Sequence, residues 1–255
     1  MTPARAPSRR GIPLRALIPN AVTALALCFG LTGVRFAIAG QWEQAVAAII
    51  FAGVLDGMDG RIARALKGQS RFGAELDSLS DVIAFGVSPA IVIYLWSLQH
   101  LPKFGWVFAL AHVVCQALRL ARFNANIDVE DQPHKSAGFL TGVPAPAGAG
   151  LVLLPLILWM WTGISELREV YVVAPWTALV AFLLVSNLAT YSWTSFRLRS
   201  HMRLGALVAI ALVGAALVSA PWPTLGLISI VYVLLIPFSI ASYRKVRRQR
   251  AAAAR

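Results

Sequence analysis

Charge is what this chain has least of. Of 255 residues only 13% are charged, and only 11 of them are Asp or Glu. A soluble domain carries about 25% charged residues, so the composition excludes an ordinary water-soluble enzyme. The 58% hydrophobic content and mean hydropathy of +0.69 exclude a disordered or fibrous chain as well. Cysteine is equally scarce. Cys28 and Cys115 both fall inside apolar segments, which excludes a disulfide framework and reads as two small buried hydrophobes. The four His form no cluster with them, so Cys/His zinc spacings are missing. A His-x-Lys pair, which would suggest covalent phosphoryl transfer through histidine, is missing too. Internal repeats and the short alternating segments of a membrane barrel are also lacking.

What is present is a succession of apolar runs at 20–39, 42–66, 80–98, 103–122, 143–162, 170–191, 203–220 and 222–243. Each approaches the roughly 20 residues that cross a hydrocarbon core. Lipid offers no partners to backbone groups, so the runs must be helical. The expectation is an all-α polytopic membrane bundle of about eight transmembrane helices. The basic start runs into apolar sequence without a small-residue cleavage site, as expected of a retained first helix.

The formal net charge of +12 invites a nucleic-acid partner, but the positions of the charges oppose it. Twenty of the 23 Lys and Arg fall in the two tails and the alternate connections, leaving Arg35, Lys103 and Arg168 on the other side. That asymmetry places both termini in the cytoplasm and the basic tail after Tyr243 on anionic headgroups. Trp42, Trp96, Trp106, Trp161 and Trp222 read as an interfacial aromatic belt. The longest connection, 123–142, is expected to be cytoplasmic and carries Asp128, Glu130, Asp131, His134, Lys135 and Ser136.

Five of the 11 acids fall within 26 residues, namely Asp56, Asp59, Glu75, Asp77 and Asp81. Asp56 and Asp59 are three apart on one helix face, and Asp77 and Asp81 are four apart on another. The short connection between the two segments makes a hairpin, so four carboxylates converge near the cytoplasmic surface. Such a group repels itself unless cations lie between its members. Hard oxygen donors without His suit Mg²⁺, Mn²⁺ or Ca²⁺, and a pair of such ions serves phosphoryl chemistry. Three glycines in eight residues of a helix, Gly53, Gly57 and Gly60, need a reason, since each costs up to about 1 kcal/mol relative to Ala. Close helix packing suits Gly53 and Gly57, and approach of a ligand suits Gly60 and Gly73. Arg64, one turn beyond Gly60, is a candidate phosphate clamp. Glu75 reads as solvated, and His112 as a hydrogen-bonded packing residue.

Asp56-x2-Asp59-Gly60-x2-Ala63-Arg64-x8-Gly73-x3-Asp77-x3-Asp81 resembles, position for position, the signature of the CDP-alcohol phosphotransferase family. Ser78 and Val82, the run Val82-Ile-Ala-Phe-Gly86-Val-Ser-Pro89, Pro19-Asn20, Arg119-Leu-Ala-Arg122-Phe-Asn124 and Phe139-Leu-Thr-Gly142-Val-Pro144 resemble its phosphatidylserine synthase branch. The resemblance implies a six-helix catalytic core over 20–200, two additional helices over 201–243, and basic tails at 1–19 and 244–255. It implies CDP-diacylglycerol and L-serine as substrates, two divalent ions (Mg²⁺ or Mn²⁺), a bacterial-type inner membrane and a homodimer. Asp56, Asp59, Asp77 and Asp81 would ligate metal, with Asp81 also the general base. Asp56, Gly60, Ala63, Arg64 and Gly73 would contact the cytidine diphosphate. A zwitterionic acceptor needs a cationic partner, for which Arg119, Arg122 and Asn124 are the expected residues; topological anchoring is the plainer role for the two arginines. Other acceptors (glycerol phosphate, inositol phosphate or choline) stay open within the same chemistry. A cation or proton transporter would place acids on several helices near the midplane, which this chain does not do.

Overall fold

The structure is a computed structural model that describes residues 14–125, 139–186, 189–191 and 203–253. Two long helices open it, α1 (Leu14–Ile38) and α2 (Trp42–Ala65), joined by a tight turn in which Gly40 takes φ +71°. They pack along their length, Thr23 of α1 against Asp59 of α2 at one end and Gly33 against Ala45 and Ile49 at the other. The C-terminus of α2 closes with the N–H of Gly68 on the Ala63 carbonyl and that of Lys67 on the Arg64 carbonyl. This is a Schellman arrangement, built here with Lys67 rather than glycine in the left-handed region at φ 50°.

The chain re-enters at Ser70, whose hydroxyl accepts from the Gly73 N–H at 3.0 Å and starts α3 (Arg71–Asp81). A π-helical stretch, Val82–Val87, follows without a break, and α4 (Ser88–Trp96) completes the rod. After a short 3₁₀ turn come α5 (Gly105–Ala125), β1 (Phe139–Thr141), α6 (Ala145–Val152) and α7 (Leu154–Thr162). A bend of 47° separates α6 from α7, with Pro155 removing a backbone donor at the break. Then follow α8 (Val170–Val185), β2 (Ala189–Tyr191), α9 (Arg203–Ser219) and α10 (Pro221–Ala253). The core runs through the bundle centre, from Val46 and Ile49 of α2 through Phe85 and Trp96 to Leu156 and Leu184.

The architecture is the expected all-helical one, and all eight apolar runs lie mainly on helices. Leu17–Ile38, Arg71–Trp96, Gly105–Ala125 and Pro221–Ser242 are long and apolar enough to cross a membrane, and the bent α6–α7 pair makes a fifth. The α8 and α9 helices are apolar but shorter, at 16 and 17 residues. α2 has the length, but it carries Glu43, Asp56, Asp59, Arg61 and Arg64. By length and composition alone, four or five spans among the described residues meet the requirement, fewer than the eight expected helices. Leu204, Leu207, Ile210 and Val218 leave α9 with a strongly exposed apolar surface, and Phe51, Val54, Leu118 and Phe182 do the same elsewhere. A surface of this kind is stable against lipid rather than water.

Several local expectations change. The third helix begins at Arg71 rather than at residue 80, because Ser70 caps it there. The α8 helix stops at Val185 instead of continuing to 191, and the segment beyond it pairs antiparallel with β1, Phe139 opposite Tyr191. This ribbon is the one pairing of strands among the described residues. Trp96 does not belong to an interfacial belt, for it is fully buried and packs on Trp159 with ring centroids 5.9 Å apart. Cys28 is exposed on α1 and not buried, and neither cysteine is in a disulfide. Residues 126–138, with Asp128, Glu130, Asp131, His134, Lys135 and Ser136, lie outside the described residues.

Candidate active site

Residues three apart on α2 put Asp56 and Asp59 on one face, and the capped start of α3 brings Asp77 to meet them. Carboxylate oxygens of Asp56, Asp59 and Asp77 all lie within 4.8 Å of one another. One turn below Asp77, the Asp81 carboxyl lies beside that of Asp56. Asp59 is buried while the other three are half-buried. Glu75 is exposed, as expected of a solvated residue outside the cluster.

The donor set tests whether a cation belongs here. Three carboxylate groups from two helices, within a few ångströms and without His or Cys, are the hard oxygen donors that Mg²⁺, Mn²⁺ or Ca²⁺ prefer. No Lys or Arg makes an ion pair with them among the described contacts, which leaves their negative charge to be balanced by cations. The residues fit a divalent ion.

The surroundings of the acids were only partly legible. Thr23 of α1 donates to Asp59 Oδ2 at 2.7 Å, and both side chains are buried. Ser80, one residue before Asp81, donates to the Thr23 carbonyl at 3.2 Å and ties α3 to the same turn of α1. No sequence argument singled out Thr23, although the neighbouring Pro19-Asn20 pair was marked by the resemblance. Its signal would have been a hydroxyl in an otherwise apolar segment, close to where the acids must sit.

The glycines divide differently from the expectation. Gly53 packs, with Phe85 and Pro146 about it, and Gly57 faces open space. At Gly60 a β-carbon would meet only the Arg64 guanidinium, at 3.8 Å, so Arg64 folds back over Gly60. Gly73 is a packing position and not an open one: a β-carbon there would stand 2.7 Å from Asn20 Oδ1 and 3.1 Å from Ser70 Oγ. Ala63 is half-buried one residue before Arg64, which is exposed.

The three residues expected to meet an acceptor separate. Arg119 is on the Asp81 side of the site, near enough for the two charges to interact. Arg122 donates to the Val185 carbonyl at 2.9 Å and the Ser186 carbonyl at 3.4 Å, beyond the end of α8. Gly142 lies in the same corner, held at φ +74°, and a β-carbon on it would be 3.0 Å from the Ser186 carbonyl. Asn124 donates to Ser78 Oγ at 2.8 Å and so braces α5 against α3. His112 is fully buried with Nε2 3.4 Å from the Phe85 carbonyl, in keeping with a packing role.

Comparison with known proteins agrees with this geometry. The family described as CDP-alcohol phosphatidyltransferase matches residues 16–186, and CDP-alcohol phosphatidyltransferase 2 matches 201–237. A CDP-diacylglycerol–serine O-phosphatidyltransferase of Mycobacterium bovis is 41% identical over 92% of this chain and 82% of its own length. Proteins of the same name in Mycobacterium leprae and Helicobacter pylori are 39% and 34% identical, over 93% and 68% of this chain and 78% and 70% of their own lengths. The signature acids, the helical hairpin that gathers them and a match over two thirds of the sequence agree: the chain belongs to the CDP-alcohol phosphatidyltransferase family.

Proposed function

We propose that this chain transfers the phosphatidyl group of CDP-diacylglycerol to the hydroxyl of L-serine, with release of CMP. The observation that carries the reading is the convergence of Asp56, Asp59 and Asp77 with Asp81 against Asp56. The names of the relatives, at up to 41% identity, support serine as the acceptor.

A serine hydroxyl is a weak nucleophile at neutral pH and needs a base within hydrogen-bond reach. Asp81 has that role: it takes the hydroxyl proton as the serine oxygen attacks the phosphorus that bears diacylglycerol. The bond from this phosphorus to the CMP oxygen breaks, and CMP leaves with the electron pair. Asp56, Asp59 and Asp77 would hold two divalent ions, Mg²⁺ or Mn²⁺, with Asp81 beside the second; such ions neutralise a diphosphate and stabilise its departing half. Arg64 would receive a phosphate oxygen, and the open backbone at Gly57 and Gly60 lets the nucleotide approach α2 closely. Ala63 and Gly73 would line the cytidine diphosphate, Gly73 by bringing Asn20 near. Arg119 would take the serine carboxylate. Arg122 and Asn124 support that pocket from behind, since their side chains hold the end of α8 and Ser78.

The same reading puts the site and both termini on the cytoplasmic side of an inner membrane, in a bundle whose eight helices cross it and pair as a homodimer. An acceptor screen tests it. Purified protein with CDP-diacylglycerol and Mn²⁺ should release CMP with L-serine, and far less with glycerol 3-phosphate, inositol phosphate or choline. CMP release with one of those acceptors and none with serine overturns the reading.

A further inference from the structure

One face of α5 carries an unusual set of residues for the interior of an apolar bundle. His112, Gln116 and Arg119 follow at intervals of four and three, so they stack along one stripe. Gln116 is fully buried, and neither its carboxamide oxygen nor its nitrogen has a hydrogen-bond partner. His112 Nδ1 and Arg119 Nε are likewise buried and unpartnered. Buried carboxamides are nearly always paired, and an unpaired polar group destabilises the fold that encloses it. A leucine or methionine would fill the same space without that cost, so packing does not account for Gln116.

The stripe faces the π-helical stretch that follows Asp81. A β-carbon on Gly86 would stand 3.1 Å from Gln116 Cγ, so glycine is what lets this wide turn close over the glutamine. π-Helical turns are rare and gather at functional sites. Gln116 therefore lies sealed beneath the π-helical turn of the rod that carries the proposed base. Arg119 stands one turn nearer the base on the same stripe.

We infer that Gln116 is a specificity-determining residue for the acceptor, receiving the ammonium group of an amino-acid alcohol on its carboxamide oxygen when the π-turn over it yields. This rests on the proposed transfer to serine. An acceptor with a carboxylate at one end and an ammonium beside it would place the first on Arg119 and the second on Gln116, its hydroxyl remaining by Asp81. The partner that the carboxamide lacks in the resting protein then arrives with the substrate.

The test separates the ammonium from the rest of the molecule. In detergent-solubilised full-length protein, CMP release is measured against L-serine, with 3-hydroxypropionate (serine without its ammonium) as a competing inhibitor. Gln116→Met keeps length and flexibility and removes both polar atoms. It should raise the serine KM about tenfold or more, the worth of one hydrogen bond to a charged group. The KM for CDP-diacylglycerol and the Ki of 3-hydroxypropionate should stay within twofold, and the melting temperature should not fall. Gln116→Leu, of different shape, should repeat the pattern if Gln116→Met folds poorly. A serine KM within twofold of the parent in a folded variant overturns the inference, and so does an equal rise in the Ki of 3-hydroxypropionate. Parent protein that releases no CMP with serine overturns the functional reading itself, and this inference with it.

Discussion

Thr23→Val is the most informative small change in the molecule, because it removes one oxygen and leaves the shape intact. Thr23 is 5% exposed and Asp59 6%, and the hydroxyl donates to Asp59 Oδ2 at 2.7 Å. The same oxygen lies 3.1 Å from the Pro19 carbonyl, but its single proton favours the shorter contact with the carboxylate. A hydrogen bond to a charged group contributes about 1.5–3 kcal/mol. Its loss leaves a buried carboxylate oxygen short of a donor. The valine methyl occupies the site of the hydroxyl, so no cavity forms and no water replaces the donor.

Two effects follow. Asp59 loses the contact that fixes its rotamer, and residues that orient metal ligands typically contribute 10–100-fold in affinity. The Mn²⁺ concentration for half-maximal CMP release should therefore rise about tenfold, with kcat at saturating Mn²⁺ lowered less. Thr23→Ser keeps the donor and should lie within about twofold of the parent, since its hydroxyl makes the same bond. Mn²⁺ titrations of the three proteins, together with Mn²⁺-dependent thermal shifts, supply the measurement. Equal half-saturation for Thr23→Val and the parent would refute the claim that α1 positions the cluster.

Asp81→Asn should abolish CMP release while leaving CDP-diacylglycerol binding within a few-fold, because the amide keeps the shape of the carboxyl and loses its basicity; full activity would refute the assignment of the base. Strong chelation should remove activity, and added Mg²⁺ or Mn²⁺ should restore it, which turnover in excess EDTA would contradict. Arg122→Ala should destabilise the protein by about 1.5–3 kcal/mol, through the Val185 and Ser186 carbonyls it leaves without a charged donor, and shift the serine KM little. A large rise in serine KM with unchanged melting would return Arg122 to the acceptor pocket. Ser70→Ala should cost about 1 kcal/mol by uncapping α3, read as a lower melting temperature.

The class of fold was legible because apolar length and the sidedness of Lys and Arg are properties of the chain itself. The acids were legible for a similar reason, since i, i+3 and i, i+4 spacings on a short hairpin leave little freedom in where carboxylates point. What sequence could not supply was the third wall. Thr23 acts on Asp59 across 36 positions and Asn124 on Ser78 across 46, and no local pattern announces a contact of that range. The glycines show the same limit. Composition says that Gly57 and Gly73 matter, but which one faces open space depends on where Asn20 and Ser70 come to rest. Trp96 was misread for a related reason: being near the end of an apolar run places a residue at an interface only if the helix face turns outward, and here it turns onto Trp159.

The π-helical stretch that begins at Val82 keeps one rod in contact with three neighbours. Phe85 continues the stripe of Asp77 and Asp81, four residues on, and still lies over α2. Above that turn the acids of α3 meet α2, and Ser80 meets α1. Within it Ala84 presses on Gly30 of α1, Phe85 reaches Gly53 of α2, and Gly86 lies on Gln116 of α5. The segment that ends in the proposed base is thus the start of the segment that touches all three surrounding helices. A change in the proposed acceptor pocket beside α5 would have a short route to Asp81, and a substitution that straightened this turn should disturb both substrates at once.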